Sequence, residues 1–359
     1  MKKRETIAGI IVLCMISLSA CKVEVKDHDK EDPVTGVKEE ISEPQTAPEQ
    51  QNTDMLYDDL VKPNGKDYWM FEGDNCILKD DDIAVYTAED TYLTNPSGIC
   101  VFGNELVVAD QDANALYRYD LDCNYLGTVG KQGMAEVEFN MPMALDVYRD
   151  QLYILDSGNY RVQVLDQNYE FVSEYQLNPQ HYSNGGGIYW DLAVKNENCI
   201  YVSTSSSGYL ETRIARIDEN GQTDFEDVFC GRLCKYEGEI YAVNTLEYTV
   251  ISENRELFSS GEHHFYRIDD MEMTDLWRFP DDYTPLDFIM SDGKVIVISG
   301  SKDRIDMFSL DGELIQQICK QNAFTEANHG IDMAPDGTLY YIDAEYCKLF
   351  QIPPAYERD

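Results

Sequence analysis

Four aspartates carry the clearest chemical possibility in this chain. Asp146 and Asp332 occupy the same place in a recurring unit, and Asp191 and Asp287 sit two positions earlier in it. Residues two apart on a strand face the same side. When the units surround an axis, four acids from four units therefore ring it. Carboxylate oxygens converging there suit a hard cation, calcium or magnesium. The structural alternative is that each acid accepts backbone N–H groups of an adjacent unit or faces channel water.

A second constellation has a different chemistry. His181, Tyr182, Tyr189, Trp190, Tyr248, His263, His264, Tyr283, Asn328 and His329 fall in segments that join units or follow second strands. Aromatic rings with imidazole and amide groups on one rim suit capture of a sugar or a peptide. His263 and His264 are neighbours, and neighbours on a strand point to opposite faces, which argues against a shared metal. No nucleophile elbow, phosphate loop, HExxH helix, EF-hand loop or sialidase Asp-box occurs, so no catalytic residue is assigned.

The units that position these residues recur six times. Ile99, Leu145, Leu192, Leu233, Phe288 and Ile331 mark their first strands, 46, 47, 41, 55 and 43 residues apart. Each marker is followed by a second apolar run, such as Leu152-Tyr153-Ile154-Leu155-Asp156, and most units show two further short runs. Four strands of about five residues separated by turn residues make one antiparallel meander, and about 45 residues per meander is the period of a propeller blade. The residue closing the second strand is Asp110, Asp156, Thr204, Asn244, Ser299 or Asp343. All six carry a short oxygen-bearing side chain, which fits turn capping better than catalysis.

The second unit carries a signature. Pro142-Met143-Ala144-Leu145-Asp146-Val147 leads to Asp156-Ser157-Gly158-Asn159-Tyr160-Arg161-Val162-Gln163-Val164-Leu165-Asp166. This resembles the NHL repeat, and the first unit is a fair copy of it. The resemblance covers about residues 92–352 and implies an all-β fold, a six-bladed β-propeller of four-stranded antiparallel blades. Blades start near 96, 142, 189, 231, 285 and 328. The sixth unit ends at Ile352 after three strands, and residues 353–359 form a tail too short to add one. The fourth strand is expected from residues 83–86, so that the N-terminus closes the ring and leaves no open edge there. The calcium-dependent lactonase-type six-bladed propellers hold their metal in the channel. An enzyme reading with Ca2+ at the four aspartates follows from that likeness.

The chain before the propeller reads as an address. Met1-Lys2-Lys3-Arg4 is a basic start, and residues 7–18 form an apolar run too short for a comfortable membrane span. Leu18-Ser19-Ala20-Cys21 resembles the bacterial lipobox, which implies cleavage after residue 20 and acylation of Cys21. Residues 21–66, rich in Glu, Asp, Lys, Pro, Gln and Thr, read as a disordered, flexible acidic linker. Residues 67–352 form the propeller.

The chain carries 28 Lys and Arg against 67 Asp and Glu, a net charge of −39 that repels nucleic acid. Of 10 cysteines, eight lie beyond the lipobox, scattered without metal-knuckle spacing, and most read as small buried apolar residues. The function expected is a lipoprotein on the outer side of a bacterial cell membrane. Its propeller binds a protein, peptide or glycan of the envelope. The alternatives are a calcium-dependent hydrolase or lyase working in the channel, and a purely structural envelope subunit.

Overall fold

Burial along each repeat follows from its place between two neighbours. In the second blade the strands Pro142–Tyr148, Gln151–Asp156, Arg161–Leu165 and Phe171–Gln176 pair in sequence as an antiparallel meander. The two middle strands are buried almost throughout, because neighbouring blades cover both of their faces. The outermost strand alternates half-buried and exposed residues. The structure, a computed structural model, describes residues 76–78, 82–178, 187–206, 212–225, 229–246, 249–250, 257–258, 262–320 and 329–354. Cys21, the apolar leader and the acidic linker lie outside the described residues.

Six such four-stranded sheets form. Inner strands are Pro96–Phe102, Pro142–Tyr148, Gly187–Asn196, Cys230–Tyr236, Pro285–Ser291 and His329–Met333. The expected blade starts lie within two residues of these. The fourth blade carries a small hairpin, Thr249–Val250 with Leu257–Phe258, between its second and third strands. Among the described residues no helix is long and apolar enough to cross a membrane.

The sixth blade is completed from the other end of the chain. Strand Ala84–Tyr86 pairs antiparallel with Lys348–Ile352, matching Ala84 to Gln351 and Tyr86 to Leu349. The closure reaches further than the sequence implies. Ile77 donates its N–H to the Gln317 carbonyl at 3.2 Å and Leu78 to that of Ile318 at 3.0 Å, both on the outer strand of the fifth blade. Ile83 is buried in a core shared by blades five and six, with Leu78 packed against it. Residues 76–78 and 82–86 therefore strap two blades together.

The turn-closing column is buried and hydrogen-bonded. Asp110 accepts the N–H groups of Thr94, Asn95, Asp112 and Ala113. Asp156 accepts the Asn140 N–H and the Arg161 guanidinium, and Arg161 also bonds the Ala135 and Glu138 carbonyls of the preceding loop. Ser299 replaces the acid in the fifth blade, and the carboxylate reappears on the next strand as Asp306, paired with Arg304 at 2.7 Å.

The strap gives a direct test. Ile83→Ala removes a buried side chain from the shared core and is expected to cost about 2–5 kcal/mol in urea unfolding. Deleting residues 67–90 is expected to abolish cooperative unfolding. A truncated chain that melts as sharply as the full one refutes closure by this segment.

Candidate functional site

The six inner strands border an axial cavity of about 210 Å³ lined by Asp146, Asp191, Arg232, Lys235, Asp287 and Asp332 together with Cys100, Cys234 and backbone of every blade. A β-bulge at the start of the inner strands adjusts their approach to the axis. The register slips at Ser97, Met143, Trp190 and Leu286, each opposite the second strand of its own blade. Nothing in the sequence marks these bulges except their position two residues before the apolar marker.

The four aspartates all line the cavity, as their spacing implies, and each is tied to backbone. Asp332 accepts the N–H of Met333 at 2.8 Å and that of Val101, on the next blade, at 2.7 Å. Asp146 accepts Val147 at 2.7 Å and Val194 of the next blade at 2.6 Å. Asp191 accepts Leu233 of the next blade at 2.7 Å and also bonds the Leu192 amide. Asp287 accepts Phe288 at 2.8 Å and bonds the Ile331 amide of the last blade. One carboxylate thus staples each of four seams.

The remaining two seams use other means. Between blades one and two the inner strands approach too closely for a carboxylate. A Cβ on Gly98 would lie 2.9 Å from the Ala144 Cα. There the Ser97 hydroxyl donates to the Pro142 carbonyl at 2.6 Å. Between blades four and five the Cys234 thiol bonds the Met290 backbone.

Electrostatics follow from burial. Arg232 rises from the blade between those of Asp191 and Asp287, and its charge acts favourably on both. Burial nevertheless dominates, raising the Asp191 carboxyl to about 7 and that of Asp287 to about 6. Burial likewise lifts Asp332 to about 6 and Asp146 above its ordinary value, against the pull of Lys235 on Asp146.

This arrangement does not fit a calcium site. The acids lie on two levels and spend acceptor directions on amides, and Arg232 places a cation between two of them. Among the described residues no three His, Cys, Asp or Glu converge as a metal-ligand set.

The aromatic constellation is only partly on the surface. Tyr189 and Tyr283 are fully buried, which corrects their expected place on the rim. The physical reason is local. Tyr189 lies in the core with its ring 6.4 Å from Tyr160, and Tyr283 stacks on Phe279 at 5.1 Å as the 279–283 connection folds over the core of the fourth and fifth blades. His263 is buried as well, its Nδ1 2.9 Å from the Asn244 carbonyl oxygen, and burial lowers its pKa. His264 is half-buried, stacked on Tyr266 and 2.8 Å from an Asp275 oxygen. The two imidazoles therefore serve different neighbours. Trp190 is half-buried at its bulge against the core of blades two and three. His181, Tyr182, Tyr248 and Asn328, and the side chain of His329, lie outside what is described.

Of the cysteines, Cys100, Cys123 and Cys230 are buried. Among the described residues none of these three, nor Cys199, Cys234 or Cys347, is in a disulfide.

The raised carboxyls set a pH dependence. A carboxyl whose folded pKa exceeds its unfolded value of 3.8 holds more proton in the native state, so its contribution to stability falls as pH rises towards the folded pKa. The contribution of these groups to the thermal midpoint is expected to fall between about pH 4 and about pH 7 and to flatten above that range. Asp191→Asn should remove about one proton's worth of the slope. An unchanged slope in the variant refutes the assignment to the channel.

No protein-family model and no curated protein matches the sequence. Solved structures do match its shape. A luciferin-regenerating enzyme aligns with TM-score 0.52 at 11% identity over 76% of this chain and 95% of its own. A calcium-binding protein, regucalcin from Agrobacterium tumefaciens strain C58, aligns with TM-score 0.52 at 12% identity over 77% and 98%. Virginiamycin B lyase from Staphylococcus aureus aligns with TM-score 0.48 at 12% identity over 75% and 98%, too distant in shape to carry an argument. What the chain shares with the first two is the propeller fold, a scaffold that hosts unrelated activities.

Proposed function

We propose that this chain is an exported lipoprotein, anchored through acylated Cys21 and built of NHL-like repeats, whose propeller binds a protein, peptide or glycan of the bacterial envelope. The observation that carries the binding reading is the engagement of the channel acids. Each of the four aspartates is used to hold its own strand and the next blade by backbone amides. The acids thus work as scaffold, and recognition falls to the surface outside the channel, where Trp190 and His264 are half-buried.

The net charge of −39 favours neutral or basic partners and disfavours nucleic acid. The anchor rests on the basic start, the apolar run and Leu18-Ser19-Ala20-Cys21, and the acidic linker then holds the propeller off the membrane. Residues 1–20, 21–66 and 67–352 are accordingly leader, linker and binding domain.

Three experiments test this. In the host, metabolic acyl label and membrane fractionation should both be lost in Cys21→Ala. A photoreactive amino acid in place of Trp190 should then give a discrete adduct with one envelope component. Absence of any discrete adduct counts against rim binding. Calcium at about millimolar concentration should leave the thermal midpoint of the purified chain unchanged. A concentration-dependent rise would instead favour the lactonase-type, metal-dependent reading.

A further inference from the structure

Lys235 makes a contact that its place in the fold does not require. It belongs to the inner strand of the fourth blade, yet its Nζ donates to the Val147 carbonyl of the second blade at 3.0 Å. The side chain therefore reaches past the third blade along the border of the axial cavity. Its ammonium also stands 5.0 Å from the centre of the Tyr148 ring, within cation–π range. Arg149 covers the same ring at 5.1 Å, and its guanidinium is held by Glu197 at 3.0 Å. Tyr148 is thus fixed beside the path that Lys235 takes. These residues lie at the ends of the inner strands, below the level of Asp146, whose carboxylate feels the lysine's charge.

We propose that Lys235 bolts one mouth of the axial channel shut, and that its release opens the cavity to solvent from that side. A flexible four-carbon stem ending in one hydrogen bond and one ring contact is the kind of closure that can swing away without moving a blade. The carbonyl it occupies sits beside Asp146, so the bolt also offsets buried negative charge while it is closed. The cavity behind it is lined by two thiols, Cys100 and Cys234, of which the buried Cys100 reports its accessibility. Cys230, buried and absent from the lining, reports general loosening of the ring.

The test is thiol labelling of the full chain with a small neutral methanethiosulfonate at fixed pH, read by peptide mapping. In the wild type Cys100 should stay unlabelled over the time that fully labels a denatured control. Lys235→Ala should raise the Cys100 rate by at least about tenfold, with Cys230 still protected. Lys235→Met keeps the length of the stem and removes the bond, and should behave as the alanine variant does. It also carries the test if the alanine variant does not fold. Rapid labelling in the wild type overturns the proposal. So does a wild-type rate in either variant, or a parallel rise at Cys230.

Discussion

A ring of sheets is only as closed as the seam where its chain begins and ends. Five junctions in this propeller join blades that follow one another in sequence. The sixth joins residues more than two hundred positions apart, and it costs the most chain entropy to form. The strap made by residues 76–78 and 82–86 answers that cost with backbone pairing on the sixth blade, two further backbone bonds to the fifth, and the buried side chain of Ile83 in their common core. The Asp332 staple to Val101 closes the same junction from the inside, across 231 positions. The junction is thus held at both radii, outer edge and inner rim, and the channel, its charge and its cavity exist only while both hold.

Inside the ring, the carboxylates solve a problem of backbone satisfaction. Inner strands have an edge with no further strand to pair with, and buried N–H groups without partners are costly. A short acid at the right place in the repeat accepts one amide from its own strand and one from the next blade. The price is a concentration of negative charge, which Arg232 and Lys235 temper and protonation relieves. The first seam avoids the problem by close approach at Gly98. Scaffold and candidate site are therefore the same atoms, which is why an acidic ring there is ambiguous until its hydrogen bonds are known.

The period, the blade count and the closing strand were legible because they rest on local patterns: apolar markers at near-constant spacing, short oxygen-bearing residues at turns, and a last unit one strand short. That the four aspartates line the axis was legible for the same reason. Their partners were not, since Val101, Val194 and Leu233 are backbone amides 231, 48 and 42 positions away and carry no side-chain signal. Tyr189 and Tyr283 have polar sequence surroundings that resemble surface loops, yet Tyr189 falls inside the inner strand of the third blade and Tyr283 in a connection that folds over a blade core, and both rings are buried. Ile77 and Leu78 precede the closing strand with no repeat pattern of their own, and only the three-dimensional run of the chain shows them gripping the fifth blade.

The strap also fixes a path for mechanical force. Any tension applied to the chain before residue 76 enters the fold at Ile77 and Leu78, not at the three-residue strand that completes the last blade. Those two bonds, the half-buried Leu78 side chain and the buried Ile83 side chain must yield before pull reaches the edge pairing. The fifth blade thereby acts as a strain relief for the sixth, much as a cable is clamped ahead of its connector. A ring held by its N-terminus can then be tugged at a segment outside its closing sheet, and its seam is loaded only after that clamp has slipped.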